Sequence, residues 1–304
     1  YSGGAIAGAT DTTMVSLIPV AETALPGSRR SRRSTGAVLL RVALIAAALY
    51  LALPLLATVA FSLATVWSRT IVPEGFTFDW YKAAIADDRF WPTTIRTLQA
   101  TTAAAIISPL LVVPALLMVH LRAPRWKPWL EFLSIVPWAL PGVVLALAMI
   151  RAYISPFNVS RPGLLILTYV LLSLPFMFRS IDAALSAIDA RTLSEAAQML
   201  GAGWFDIGRR VLLPGIMPGL MSGILLIAAL GAGEYALASL MAGSGWKTFP
   251  IYQAQAQSVD GRIASALAVI GLFYTLVVSL SLLFIAGRNQ NRGGTAGLPI
   301  AANK

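Results

Sequence analysis

Cysteine is absent from the 304 residues, and histidine occurs once, as His120. The first absence excludes disulfides, thiolate metal sites and cysteine nucleophiles. One histidine is too few for a histidine-rich metal centre, which needs several converging ligands, and it argues against a Ser-His-Asp relay. His120 is read as a loop residue just past an apolar helix. No catalytic residue and no metal ligand is expected. No G-x-x-x-x-G-K-[ST] stretch occurs, so the chain supplies no phosphate-cradling loop of its own. Charge is scarce as well: 12% of residues are charged, against roughly a quarter in a soluble domain.

What is there is apolar. Hydrophobic residues make up 57% of the chain, and the mean hydropathy is +0.75. Long uncharged runs are what a bilayer selects, so the chain reads as an all-α, multi-pass membrane protein. The net charge of +10 does not point to nucleic acid, because the basic residues punctuate the apolar runs instead of gathering on one face.

Six apolar segments stand out, at about residues 38–66, 95–121, 129–150, 164–178, 216–241 and 264–286. Each is near the roughly 20 residues a helix needs to cross about 30 Å of hydrocarbon. Period-two alternation is missing, which excludes barrel strands. The larger share of Lys and Arg, including Arg29–Arg33, Arg122, Arg125, Lys127, Arg179, Arg209 and Arg210, falls on one side if the N-terminus is inside. The positive-inside rule then places both termini in the cytoplasm. Residues 1–37 read as a polar, disordered cytoplasmic tail, with Met14 as the native start and 1–13 set aside as an expression remnant or a processed leader. Residues 38–287 form the six-helix domain, and 288–304 a cytoplasmic C-terminal tail. The outer segment 67–94 carries Phe76, Trp80, Tyr81, Phe90 and Trp91, which suits a short amphipathic helix anchored at the membrane interface.

The largest inner segment after the N-terminal tail, residues 179–214, is not a linker. Ile181, Ala184, Leu185 and Ile188, then Leu193, Ala196, Ala197 and Leu200, recur at helical spacing. Gly201 and Gly203 then break the helix, and a second helical piece leads into the membrane. Short helices with a glycine turn at the tip would form a protrusion another protein can grip.

Within the apolar runs, Glu234 is the main ionisable residue, placed toward the outer end of the fifth segment. An acid there is costly unless it faces water or a partner. It is read either as lining a solute path, together with Gly231 and Gly233, or as a structural carboxylate bonded to a neighbouring helix. Gly215, Gly219 and Gly223 repeat every fourth residue, a pattern for close helix contact within the chain. Pro137 and Pro141 are expected to kink the third helix.

Glu195-Ala196-Ala197, then Gly201, then Val211 and Leu213-Pro214 stand at the spacings of a known signature. By these residues the chain resembles permease subunits of binding-protein-dependent type I ABC importers. The one departure is Val211 where isoleucine is commonest. The resemblance covers about residues 40–287 and implies that this loop is the coupling helix, which fits a cleft on an ATPase subunit. Glu195, Ala196, Ala197, Gly201, Val211, Leu213 and Pro214 would then be its docking residues. It further implies two ATPase subunits, which use ATP and Mg while this chain binds no cofactor. A second homologous permease or another copy of this chain, an extracytoplasmic substrate-binding protein and a location in the bacterial inner membrane are implied as well. LPFMFRSIDAALSAID and GAGEYALASLMAG are similar to the spermidine/putrescine branch. That makes polyamine the leading substrate, with aminophosphonate, ferric iron or another small solute as alternatives. Two other classes are weighed. An ATP-independent transporter or channel would show internal repeats or several buried charges, and a membrane enzyme would show clustered His, Cys or acids.

Overall fold

The computed structural model describes residues 35–67 and 73–293. Expectations for the two tails up to residue 34 and beyond 293, and for Arg69, lie outside these residues. The chain falls into two compact units, residues up to Leu53 and residues from Pro54 onward. A 29-residue helix, α1 (Thr35–Leu63), contains the boundary between them. Beyond Arg41 its apolar residues are spread around the helix, with Leu44, Leu49 and Leu51 exposed.

The second unit continues with α2 (Asp79–Ala86), α3 (Phe90–Arg122), α4 (Lys127–Ala139), α5 (Gly142–Met149) and α6 (Ser155–Phe157). Next come α7 (Arg161–Ala187), α8 (Ala190–Met199), α9 (Trp204–Asp206) and α10 (Leu213–Gly233), then α11 (Ala236–Met241), α12 (Phe249–Gln257) and α13 (Gly261–Gly293). Among the described residues five helices are long and apolar enough to cross a membrane, or six if one bent pair counts as a single span. That pair is the third expected helix. It is broken, not kinked: the pieces before and after Leu140-Pro141 meet at 101°. Pro141 has no N–H to continue the ladder and holds Leu140 in extended backbone (ψ 135°).

Two further boundaries differ from expectation. The fourth span does not stop at Phe178. Ser160 caps its start by accepting from Gly163 N at 3.3 Å, Pro162 sits in the first turn, and the helix runs on to Ala187. Arg179, just past the expected end of the span, and Asp182 both lie within this helix. Asp182 Oδ1 lies 2.7 Å from Lys127 Nζ and 3.2 Å from His120 Nε2. His120 is therefore inside the last turn of α3, not past it, and this acid draws the inner ends of α3, α4 and α7 together. The fifth span ends at Gly233, with Glu234 and Tyr235 outside any helix, and resumes as α11.

Helix α7 is the centre of the unit, and α3 and α10 pack along it. Leu116, Leu165, Tyr169, Met177, Ile181, Ile216 and Ile227 are almost wholly enclosed among them. In a bilayer, lipid tails are as apolar as leucine, so close fit and small residues drive helix association. The glycine stripe fits that rule. A carbon added at Gly215 would lie 2.8 Å from Ile188, and one at Gly223 2.8 Å from Met177 sulfur. At Gly219 it would strike Ser180 O and lie 2.6 Å from Ala184 Cβ. The stripe thus lies against α7 and the residue after it, within one chain. At the opposite end of the bundle Trp80 donates to Ala64 O at 2.9 Å and Tyr81 Oη lies 2.6 Å from Ser62 Oγ. The expected short helix is present as α2, but these two aromatics hold protein backbone and side chain, leaving Phe76 and Trp91 as exposed rings. Beside α2 the Arg89 guanidinium pairs with Asp87 at 2.7 Å and holds its carboxyl well down, at about 2.

Candidate functional site

The inner loop begins where Asp189 turns the chain through the left-handed region (φ 45°). Its carboxylate accepts from Thr192 Oγ1 at 2.7 Å and faces Thr192 N, capping α8. Ala190 and Ser194 bury one face of α8, and Ala197 is half-buried. Glu195 and Ala196 point outward, and Glu195 pairs with Arg191 one turn back at 2.9 Å. That ion pair is exposed and worth at most a few tenths of a kcal/mol, about 0.3–0.5.

A hydrogen-bonded C-cap stops α8. Gly201 N donates to Gln198 O at 2.8 Å and Ala202 N to Ala197 O at 3.0 Å, the two bonds of a Schellman turn, which needs its C′ residue left-handed. Gly201 has φ +82°, and a carbon added to it would meet nothing within 4 Å. Within this chain its glycine serves backbone shape, not crowding. The turn leaves Met199 90% exposed and Leu200 89% exposed, with Phe205 at 77% just beyond. Leu200 belongs to the apolar residues that recur at helical spacing, yet it is exposed. Ile181 and Leu185 of the same pattern are fully buried, whereas the last turn of α8 leaves its apolar side chains exposed. The signal for this is local: two large apolar residues directly before a helix-ending glycine, in an otherwise charged segment.

From Trp204 the chain is helical again, through α9, a wide π-helical stretch Ile207–Leu212 and into α10. In that stretch Leu213 N donates to Gly208 O, five residues back. The wide turn lies directly before Pro214, whose ring would crowd the carbonyl four residues earlier in a regular helix. Leu213 and Pro214 thus end the inner segment by opening α10, with the proline in its first turn. Val211 is half-buried within the wide turn. Arg122, at the end of α3, lies over the Trp204 ring, 4.4 Å from its centroid. The contact ties the loop's return strand of helix to the membrane bundle.

The second set of expected residues lies at the far ends of α10 and α3. Gly231 is buried against Thr101: an added carbon would be 2.6 Å from its Oγ1. Glu234 sits in extended backbone (ψ 105°), and its Oε1 accepts from Leu237 N at 2.8 Å, satisfying one of the free amides of α11. Tyr169 donates to the Glu234 carbonyl at 3.4 Å. Gly233 faces a cavity of about 770 Å³ bounded by α3, α12, α13 and the end of α1. The sequence separates these three residues only by number; the structure gives them three different surroundings. Among the described residues no group of three or more His, Cys, Asp or Glu is placed to hold a metal.

Spanning-length helices, broken at two points and carrying a capped loop with bare apolar side chains at its tip, define a multi-pass helical membrane protein. The chain belongs to the family of binding-protein-dependent transport system inner membrane components, matched over residues 112–292. It is a permease subunit of an ABC importer. It is 28% identical over 242 residues to the putative 2-aminoethylphosphonate transport system permease protein PhnV of Salmonella typhimurium, covering 78% of this chain and 89% of that one. It is 26% identical over 224 residues to the spermidine/putrescine transport system permease protein PotC of Escherichia coli, covering 73% and 84%. The fold is shared with a chain of a bacterial ABC transporter that imports the acidic polysaccharide alginate. The TM-score is 0.63 at 19% identity, over 85% of this chain and 99% of that one.

Proposed function

We propose that this chain forms the solute path of an ATP-driven importer in the bacterial inner membrane, with both termini in the cytoplasm. The α8 turn would be the surface an ATPase subunit grips. One observation carries the docking: Met199 and Leu200 are about nine-tenths exposed on a turn held rigid by its own cap. Large apolar side chains presented from an ordered turn are stabilised by a partner that removes them from water. Glu195, Ala196, Ala197 and Gly201 flank that apolar tip, where small residues let a partner approach closely. Val211, Leu213 and Pro214 join the tip to α10, so a push on the turn reaches the membrane helices. Two ATPase subunits would supply the ATP and Mg chemistry that this chain has no phosphate loop for. A second permease, of this or a homologous chain, would complete the path, and an extracytoplasmic binding protein would deliver solute to it. Gly233 and the adjoining cavity belong to the path, with Gly231 and Glu234 shaping the break that opens there. The solute is a small amine, polyamine first. The solutes in the names of PhnV and PotC share an ammonium group on a short carbon chain.

The test is affinity purification of the tagged chain from its native membrane, followed by mass spectrometry. Wild type should bring down an ABC ATPase. Leu200→Asp and Gly201→Asp should deplete it at least tenfold, since a charge is forced into the contact, while the permease stays monodisperse. An ATPase retained equally by both variants would remove the turn from the docking surface. No ATPase with the wild type would favour ATP-independent transport.

A further inference from the structure

The 770 Å³ cavity lies at the end of the bundle away from the α8 turn, since it is lined by the start of α3 and the end of α10. Six aromatic residues, Phe61, Phe90, Trp91, Tyr235, Phe249 and Tyr274, form much of its wall. Its size suits a small solute. No Asp, Glu, Lys or Arg is among the lining residues. That is informative in a chain of net charge +10, because an anion-binding site would have had many cations to draw on.

Two hydroxyls of the wall have already spent their protons inside their own helices. Thr94 donates its hydroxyl proton to Phe90 O at 2.7 Å and Thr275 to Gly271 O at 2.9 Å, so toward the cavity both offer only lone pairs. Gln253 and Gln257 lie one turn apart on α12, both on the cavity wall. Neither amide has a hydrogen-bond partner among the described residues, nor do the phenols of Tyr235 and Tyr274. Aromatic faces add the negative side of their quadrupoles. A phosphonate or carboxylate would meet no cation here, and a multiply charged ion would meet no counter-charge. A single ammonium group on an alkyl stem fits the ring faces, the threonine lone pairs and the glutamine carbonyl oxygens.

We infer that this cavity binds the ammonium-bearing end of a short-chain alkylamine. Ring faces hold the cation, and the carbonyl oxygens of Gln253 and Gln257 accept its N–H groups. The inference rests on the importer reading above and narrows it: the permease reads one ammonium end, and the remainder of the solute is left to other parts of the assembly. Two amines that differ beyond that end would then share the same station.

The test uses the full chain in lipid nanodiscs with three probes of similar length: n-butylammonium, 1-butanol and propylphosphonate. Binding is followed by saturation-transfer NMR. Butylammonium should bind saturably, and the other two at least about tenfold more weakly, the scale of a desolvated cation–π contact. Tyr274→Leu and Trp91→Leu should each weaken butylammonium by about tenfold, and Gln253→Leu by about threefold, whereas Tyr274→Phe, which keeps the ring, should lose less than Tyr274→Leu. If Tyr274→Leu does not fold, Trp91→Leu at the exposed mouth and Gln253→Leu carry the comparison. Equal binding of butanol would mean that the cavity selects an alkyl chain, as a lipid tail would supply, and would overturn the inference. Preference for propylphosphonate, or no saturable binding, would do the same. ATPase co-purification keeps the two readings apart. An ATPase on the turn without ammonium selectivity in the cavity removes the site and leaves the importer; absence of the ATPase removes the importer whatever the NMR shows.

Discussion

Gly215, Gly219, Gly223 and Gly231 sit where one added carbon would strike a neighbour, whereas Gly201, Gly203, Gly208 and Gly233 sit where it would meet nothing within 4 Å. Spacing separates the Gly215, Gly219 and Gly223 stripe from the Gly201 and Gly203 break, but Gly231 and Gly233 look alike in the sequence. Their surroundings assign them opposite work. The crowded set lets α10 lie against α7 and α3, and its contacts close within the chain. The open set shapes a turn, a helix start and the rim of a cavity, and faces only what comes from outside. A glycine that fits nothing in its own chain directs attention to backbone form or to an absent partner; a glycine that fits tightly directs it to packing.

Substitutions separate the two sets by size of effect. Gly219→Val should be the most damaging, costing roughly 3 kcal/mol or more, because the obstacle is the Ser180 carbonyl and backbone does not yield as a side chain does. A large fall in the unfolding temperature of the purified chain would show it, and a near-wild-type value would dissolve the distinction. Gly201→Ala should cost about 1 kcal/mol, the price of a left-handed alanine, with no steric component. Gly201→Asn, which tolerates that conformation, should recover part of the loss.

Asp87→Asn calibrates the scale with an exposed polar contact and should cost about 0.5 kcal/mol at neutral pH. The sign follows from the depressed carboxyl. Its contribution is complete above the ordinary value of 3.8 and fades as pH falls toward about 2. Wild type and variant should therefore converge in stability at acid pH, as unfolding at pH 7 and pH 2 would reveal. Gly208→Ala should be the mildest change, within about 0.5 kcal/mol of wild type. A loss comparable with Gly219→Val would place Gly208 among the crowded set.

Much of this architecture can be read from residues alone, and the failures have physical causes. Apolar run length locates the spans, because hydrocarbon thickness fixes how many residues a helix must hide. Run length does not report a break inside a run. Leu140-Pro141 and Gly233-Glu234 lie in stretches as apolar as any continuous helix, and neighbouring helices supply the groups that make those breaks tolerable. Charges at Arg179 and Asp182 look like a helix end until Lys127 and His120, far away in sequence, are brought beside Asp182. The spacing of Glu195, Gly201 and Pro214 is visible at once and marks the loop. The exposure of Met199 and Leu200 is not, since helical periodicity says which residues share a face and not which way that face is turned.

The wide stretch at Ile207–Leu212 carries a final consequence, one of phase. A turn closed five residues back holds one residue more than a regular turn, and one residue is about 100° of rotation around a helix axis. The stripe of Gly215, Gly219 and Gly223 meets α7 because that extra residue stands upstream of it. Removing one residue between Gly208 and Val211 would leave every side chain of α10 in place along the sequence and swing the stripe about a quarter-turn from its neighbour. The loop that faces the cytoplasm in this reading is thus also the element that sets the angular register of a membrane helix.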